Sequence, residues 1–136
     1  MRILVIDGQG GRLGKEIIKL LKERIPQCHI TAVGTNLAAT SAMLKGGADE
    51  AATGENPVVV ASRKTDVIVG PIGIVIADSL LGEITPKMAE AIAKSDCVRV
   101  LIPMNRCDNL VAGVKNQSVE ELVCDAVDKI MKIEVC

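Results

Sequence analysis

Hydrophobic positions occur along this chain either as short continuous runs or at helical spacing. Residues 3–6, 29–33, 67–69 and 98–102 form mostly apolar runs, which predict strands buried on both faces of a parallel sheet. Between the runs, apolar residues recur every three or four positions, most clearly over residues 13–25. This alternation of strands and helices predicts an α/β fold, a three-layer Rossmann-like domain with a mostly parallel sheet.

Turn and capping signals mark the other elements. A helix over residues 37–45 should end at the glycine pair of residues 46–47, and Ser118 with Glu121 forms a capping box for the last helix. Two more helices are predicted: one from an Asn56 N-cap and Pro57 to residue 64, and one that begins at Thr85 and Pro86 and runs to residue 94. Short strands are predicted at residues 49–52 and 110–114.

The apolar stretch at residues 72–81 has two interpretations. We expect a nearly all-apolar helix that ends at Gly82, although its isoleucines would also suit a strand. A helix that is apolar on every side must be buried. In a chain of 136 residues, burial against another subunit is the expected route, so this stretch predicts a homo-oligomer.

The first strand runs directly into a glycine-rich segment, Asp-Gly-Gln-Gly-Gly-Arg-Leu-Gly, at residues 7–14. Such a strand–turn–helix unit brings the backbone close to a ligand and directs unpaired amides of the helix N-terminus at an anion such as phosphate. The spacing of Gly8, Gly11 and Gly14 is similar to the T-G-x-x-G-x-x-G pattern of atypical and extended short-chain dehydrogenases, and differs from G-x-G-x-x-G. The alternative is that the glycines only form a tight turn.

Asp7 departs from the dehydrogenase pattern, which has threonine or another small neutral residue at this position. A carboxylate this close to a pyrophosphate would repel it unless the carboxylate is protonated, turned away or bridged by a cation. The chain also has no tyrosine, which excludes the short-chain dehydrogenase chemistry that depends on a Tyr-x-x-x-Lys pair.

A dinucleotide site also needs contacts at the end of the second strand. No Asp or Glu occurs between Glu23 and Asp49, and no Lys or Arg lies next to Thr35. The groups that recognise the ribose of NAD or the 2′-phosphate of NADP are therefore missing. Thr35 and Asn36 could bind a hydroxyl or phosphate, or could cap the following helix. The cofactor stays open, with a nucleotide such as NAD(P) as one candidate.

Ligands of such folds bind beyond the carboxyl ends of the strands, where polar residues gather in this chain. Arg106 could hold a phosphate or carboxylate by paired hydrogen bonds, and Asn105 could contact a hydroxyl. Glu55, Asp7 or Cys107 could act in acid–base or nucleophilic chemistry. Ordinary loop polarity is the alternative for all of these residues, and it is favoured for Glu55, Asp7 and Cys107. The predicted binding residues are Asp7, Gly8, Gln9, Gly10, Gly11, Gly14, Thr35, Asn36, Gly70, Asn105 and Arg106. No catalytic residue is assigned.

Composition narrows the function classes. The net charge is −1 and the chain has no basic tract and no aromatic residue, which argues against binding of nucleic acid. Five cysteines without a C-x-x-C pair and a single histidine argue against a metal site. No apolar stretch suits a membrane span or a secretory signal. We therefore expect one soluble, cytoplasmic domain over residues 1–136.

The chain resembles a family of short bacterial proteins of unknown function that begin with Ile-Asp-Gly-Gln-Gly-Gly. Residues 6–11, 34–36, 39–43 and 82–89 carry the resemblance. It implies a compact Rossmann-like domain and no established activity.

Three hypotheses about function remain. The first is a small protein that binds or senses a nucleotide or another phosphate-containing ligand, as a homo-oligomer. The second is an enzyme that acts on a small phosphorylated or carboxylated metabolite, with Asn105, Arg106 and Cys107 in its site. The third is a structural or accessory subunit. The small size favours the first, because dinucleotide enzymes usually carry a separate substrate domain.

Overall fold

The computed structural model describes residues 1–104 and 109–133, and five strands in them form one sheet. The strands are β1 (Arg2–Asp7), β2 (His29–Gly34), β3 (Glu50–Thr53), β4 (Val67–Pro71) and β5 (Val98–Ile102). They lie in the order β3-β2-β1-β4-β5, and every neighbouring pair is parallel. This doubly wound order reverses between β1 and β4, and the predicted α/β fold is confirmed.

Helices cover both faces of the sheet. They are α1 (Arg12–Arg24), α2 (Leu37–Gly46), α3 (Glu55–Ala61), α4 (Pro86–Lys94) and α5 (Val119–Met131), with a short 3-10 helix (Ile72–Val75) after β4. One hydrophobic core lies between the sheet and helices α1, α2 and α5. A second core lies between the sheet and α3, α4 and the 3-10 helix. These are the three layers that the alternation of elements predicted.

The central strand β1 explains why its sequence is a continuous apolar run. Ile3 and Val5 point into the first core, whereas Leu4 and Ile6 point into the second. All four side chains are at most 1% exposed. Because both faces of the strand are covered, the alternation of polar and apolar residues seen in half-exposed strands is lost.

Capping signals located several helix ends correctly. The Thr85 hydroxyl accepts a hydrogen bond from the Met88 amide at the start of α4, and the Ser118 hydroxyl accepts one from the Glu121 amide at the start of α5. Gly47 ends α2 in the left-handed region with φ of 112°, where glycine has no steric penalty. These local signals act within one turn of helix, so a single sequence is enough to reveal them.

Two predicted elements differ from the structure. Helix α3 begins at Glu55 with Gly54 as N-cap and ends at Ala61, so Asn56 is not its N-cap and the helix stops before residue 64. Residues 110–114 contain turns and no strand. Leu110 is exposed, and Gly113 takes a positive φ of 85°, which is not a strand conformation. A strand there would have no covered face against which to pack its apolar side chains.

The prediction of a helix over residues 72–81 is wrong. Only the 3-10 helix Ile72–Val75 forms, and the chain then turns sharply, with positive φ at Asp78, Leu80 and Leu81. Ile74 is buried in the chain's own second core, whereas Leu81 is 92% exposed. The apolar residues of this stretch therefore do not share one buried helix, and the need for a second subunit to bury that helix disappears.

Candidate functional site

A cavity of about 390 Å³ lies beyond the carboxyl ends of β1 and β4, where the strand order reverses. This is the position at which open parallel sheets bind their ligands. One wall is the glycine loop with the start of α1, residues 7–13, and the opposite wall is the turn at residues 71–73. The lining is completed by Ile76, Leu80, Leu81, Met104 and Asn109.

The glycine loop owes its shape partly to the packing of α1 against α2. Gly11 is the N-cap of α1 and has φ of 72°. A Cβ atom at this position would lie 2.6 Å from the backbone Cα of Ala39 in α2. A Cβ atom at Gly10 would meet nothing nearer than 3.9 Å. Gly11 is therefore required by the fold, whereas Gly10 faces free space at the cavity.

Gly14 and Gly70 are also required for packing. A Cβ atom at Gly14 would lie 2.6 Å from the sulfur of Met43, and one at Gly70 would lie 2.3 Å from the carbonyl oxygen of Ile6. Neither glycine lines the cavity. Five of the predicted binding residues do line it: Asp7, Gly8, Gln9, Gly10 and Gly11.

Asp7 is buried at the end of β1 and points its carboxylate at the chain's own helix N-terminus. Oδ1 accepts a hydrogen bond from the Gly8 amide at 2.8 Å, and Oδ2 accepts one from the Gly14 amide at 2.7 Å. Gly14 is the third residue of α1, so Asp7 caps this helix as an N-cap side chain would. One of the amides that a phosphate could use is therefore already occupied.

Burial raises the pKa of Asp7 above its ordinary value. The amide hydrogen bonds from Gly14 and Gly8 act in the opposite direction, and the nearby negative charge of Glu83 adds to the increase. Two effects therefore act in opposite directions on the charged form of Asp7: desolvation disfavours it, and the N-terminus of α1 stabilises it.

Three other amides at this turn remain available. Within residues 1–104 and 109–133, the backbone N–H groups of Gly10, Arg12 and Leu13 have no hydrogen-bond acceptor, and all three residues line the cavity. Amides at the start of a helix carry a partial positive charge. The turn can therefore still receive an anion on the cavity side.

Glu83 is a site residue for which the sequence contains no local signal. It precedes α4, yet its carboxylate reaches the glycine loop and the end of β2. Oε1 accepts hydrogen bonds from the Gln9 amide at 2.9 Å, the Thr35 hydroxyl at 2.5 Å and the Asn36 side-chain amide at 2.8 Å. Burial alone would raise the pKa of Glu83, but these three hydrogen bonds together hold it below its ordinary value.

Thr35 and Asn36 are consequently engaged inside the protein. Asn36 Oδ1 accepts a hydrogen bond from the Ala39 amide and so caps α2, which was the alternative role for this residue. Its Nδ2 group donates to Gln9 O and to Glu83. Neither residue lines the cavity, and both are held by contacts to the glycine loop or to Glu83.

The other candidate residues lie elsewhere or outside the described part. Glu55 is in the first turn of α3 and does not line the cavity. Asn105, Arg106 and Cys107 lie outside the described residues, although Met104 and Asn109 on either side of them in sequence line the cavity.

The described residues hold neither a metal-binding group nor a membrane-spanning helix. They contain no group of three or more His, Cys, Asp or Glu side chains arranged to hold a metal ion. None of their helices combines the length and apolar character needed to cross a membrane.

Comparisons with known proteins give a family and a distant structural likeness. No curated protein matches the chain. The crystal structure of a dodecameric FMN-dependent UbiX-like decarboxylase from Escherichia coli O157:H7 is similar, with 18% sequence identity and a TM-score of 0.48 over 96% of this chain and 77% of that chain. The model of a family described as "Domain of unknown function (DUF3842)" matches residues 2–135, and the chain belongs to that family.

Proposed function

We propose that this protein binds a small phosphate-containing ligand, such as a mononucleotide, in the cavity between the glycine loop and β4. The observation that carries the proposal is that Gly10, Arg12 and Leu13 all line the cavity at the N-terminus of α1, while their backbone amides have no acceptor within the described residues. Helix N-termini with free amides are general anion-binding sites. The Arg12 side chain also lines the cavity and supplies a positive charge for the phosphate.

The opposite wall suits an apolar part of the same ligand. Ile72, Ile76 and Leu80 line it together with the Pro71 turn. Small-molecule sites typically combine such apolar walls with a few polar groups in roughly 300–1,000 Å³, and this cavity falls in that range. Since the chain has no aromatic residue, a nucleobase or other ring would lie between aliphatic side chains.

The structure argues against an extended dinucleotide in its usual position. The path from the glycine loop to the end of β2 is covered by the chain's own side chains. A Cβ atom at Gly8 would lie 3.0 Å from Leu80 Cδ1 and 3.1 Å from Glu83 Oε1. A ligand held at the loop therefore extends toward β4, and the free space there fits a mononucleotide or a smaller molecule.

Thermal unfolding followed by calorimetry tests this proposal, because the chain has no Trp or Tyr for fluorescence. A ligand at 100 times its Kd adds about 2.7 kcal/mol of stability, or roughly 4–8 °C in a domain near this size. Inorganic phosphate, pyrophosphate, mononucleotides and dinucleotides form the panel. A shift with mononucleotides supports the proposal, and no shift with any phosphate compound contradicts it.

A matched pair of variants locates the bound phosphate. Arg12→Gln removes a positive charge at the cavity, and Lys19→Gln removes the same charge from an exposed position on the same helix. We expect Arg12→Gln to weaken binding roughly tenfold, a loss of about 1.4 kcal/mol, which is close to the lower end of the range for hydrogen bonds to charged groups. Lys19→Gln should bind as the wild type does. Equal loss in both variants would show only a general effect of charge.

An enzyme that acts on a small phosphorylated or carboxylated metabolite is the second candidate. The observation that favours it is that Met104 and Asn109, which flank Asn105, Arg106 and Cys107 in the sequence, both line the cavity. Cys107→Ser and Arg106→Ala should remove turnover of whichever metabolite is active. Full activity in both variants would place the chemistry elsewhere.

A further inference from the structure

We propose that Gln9, Thr35 and Asn36 form a second anion-binding site, which the Glu83 carboxylate fills in this structure and which a phosphate group occupies when Glu83 is displaced. This site adjoins the cavity of the proposed function at Gln9, whereas neither Thr35 nor Asn36 lines that cavity. Glu83 thus acts as an internal substitute for a ligand.

Three hydrogen-bond donors converge on one oxygen atom of Glu83. A backbone amide, a hydroxyl and a side-chain amide donate to a single oxygen atom, Glu83 Oε1, at 2.9, 2.5 and 2.8 Å. They come from the loop after β1, the end of β2 and the N-cap of α2. Hydrogen bonds to a charged oxygen are stronger than those between neutral groups, and phosphate oxygens accept the same donors.

The electrostatic environment of these donors also favours an anion. Asn36 is the N-cap of α2, whose first turn contains no acidic residue. The partial positive charge at this helix N-terminus is therefore met by Glu83, a residue from a distant part of the chain. An anionic group that enters from solution would experience the same attraction.

Gly8 leaves space beside the three donors because it has no side chain. A Cβ atom there would lie 2.7 Å from Thr35 Oγ1 and 3.1 Å from Glu83 Oε1. The first distance is shorter than a Cβ atom normally approaches another heavy atom, and the second would require the Glu83 side chain to give way. The donors can therefore surround an anion only because residue 8 is glycine.

The segment that carries Glu83 has an unusual backbone conformation. The covering segment, residues 76–83, lies between Ile74 and Ile84, both fully buried. Within it Asp78, Leu80 and Leu81 take positive φ values of 65°, 55° and 56°, a region that side chains with a Cβ atom disfavour. Leu81 at its tip is 92% exposed. A change in these backbone angles between the two buried isoleucines would withdraw Glu83 from its three donors.

The test uses the full chain with Glu83→Ala and measures binding of inorganic phosphate, pyrophosphate and ADP by isothermal titration calorimetry. Removal of the internal carboxylate should tighten phosphate binding at least tenfold relative to the wild type. Glu90→Ala, an exposed carboxylate on α4, is the control and should change nothing. Adding Thr35→Val to Glu83→Ala should abolish the gain, because a donor is lost.

The affinities of the Glu83 variants for phosphate and ADP decide whether the second site exists and which ligand it takes. An equal gain for phosphate and ADP supports a site for the phosphate group alone, and a larger gain for ADP supports a nucleotide as its source. If Glu83→Ala does not fold, Glu83→Gln retains the size of the side chain without its charge and should still bind phosphate more tightly. A folded Glu83→Ala or Glu83→Gln protein with no gain overturns the inference.

The same experiments separate this site from the cavity. Arg12→Gln should weaken binding in the cavity and leave the gain from Glu83→Ala intact. Thr35→Val should leave binding in the cavity unchanged and abolish the gain from Glu83→Ala. Absence of the gain, with cavity binding unchanged, would overturn this inference alone, whereas the gain without cavity binding would overturn only the proposed function.

Discussion

At the scale of single residues, the glycine loop is governed by two carboxylates with opposite electrostatic situations. Asp7 is buried against the start of α1, and its pKa is raised chiefly by desolvation. Glu83 is more exposed, and its pKa is lowered by three donors that favour the charged form. The two groups therefore couple folding to pH in opposite directions.

The wild type and two amide variants test this difference. A folded-state pKa above the ordinary 3.8 of Asp7 means that its stabilising contribution is complete below that pH and is lost as pH rises through the folded value. A folded-state pKa below the ordinary 4.5 of Glu83 means that its contribution is present above that pH and is lost as pH falls. Urea denaturation from pH 3 to 7 measures both effects.

Asp7→Asn and Glu83→Gln should therefore change the pH profile of the unfolding free energy differently. The stability advantage of the wild type over Asp7→Asn should shrink as pH rises above 3.8, and its advantage over Glu83→Gln should shrink as pH falls below 4.5. Parallel profiles for all three proteins would contradict this assignment.

At the scale of elements, the contact between α1 and α2 decides which loop glycines are structural. Gly11→Ala combines a positive φ with an overlap against the Ala39 backbone, so it should lower the unfolding free energy by about 2–4 kcal/mol. Gly10→Ala, one residue away in open space, should change it by less than about 1 kcal/mol. Chemical denaturation measures both, and equal losses would show that the helix contact does not set the requirement.

This contact also shows how far the sequence predicts the site. The spacing of glycines correctly predicted a tight turn between β1 and α1, because periodicity and glycine content are local signals. The role of Gly11 against Ala39 and the reach of Glu83 to Gln9 are long-range contacts, which no local pattern contains. The helix prediction for residues 72–81 is wrong for the same reason, because the burial of Ile74 in the second core is also a long-range contact. That contact overrides the local preferences for helix or strand.

At the scale of the whole molecule, we propose that copies of the chain associate through exposed apolar residues near the cavity. Leu81 and Leu110 are 92% and 90% exposed, and Leu81 lies on the rim of the cavity. A large, highly exposed apolar side chain on the rim of a cavity is a candidate for contact with a second molecule. A second copy that packs on this rim would narrow the entrance to the ligand site.

Leu81→Lys tests this surface. Burial of a leucine stabilises by about 1.5–3 kcal/mol, and a twofold contact would bury two copies, so the charge should weaken association at least about a hundredfold. Leu37→Lys, at a 72% exposed position on α2, is the control and should sediment as the wild type does. If analytical ultracentrifugation shows the same mass for Leu81→Lys and wild type across concentrations, the rim is not the contact between subunits, and Leu81 serves only the covering segment and the cavity within one chain.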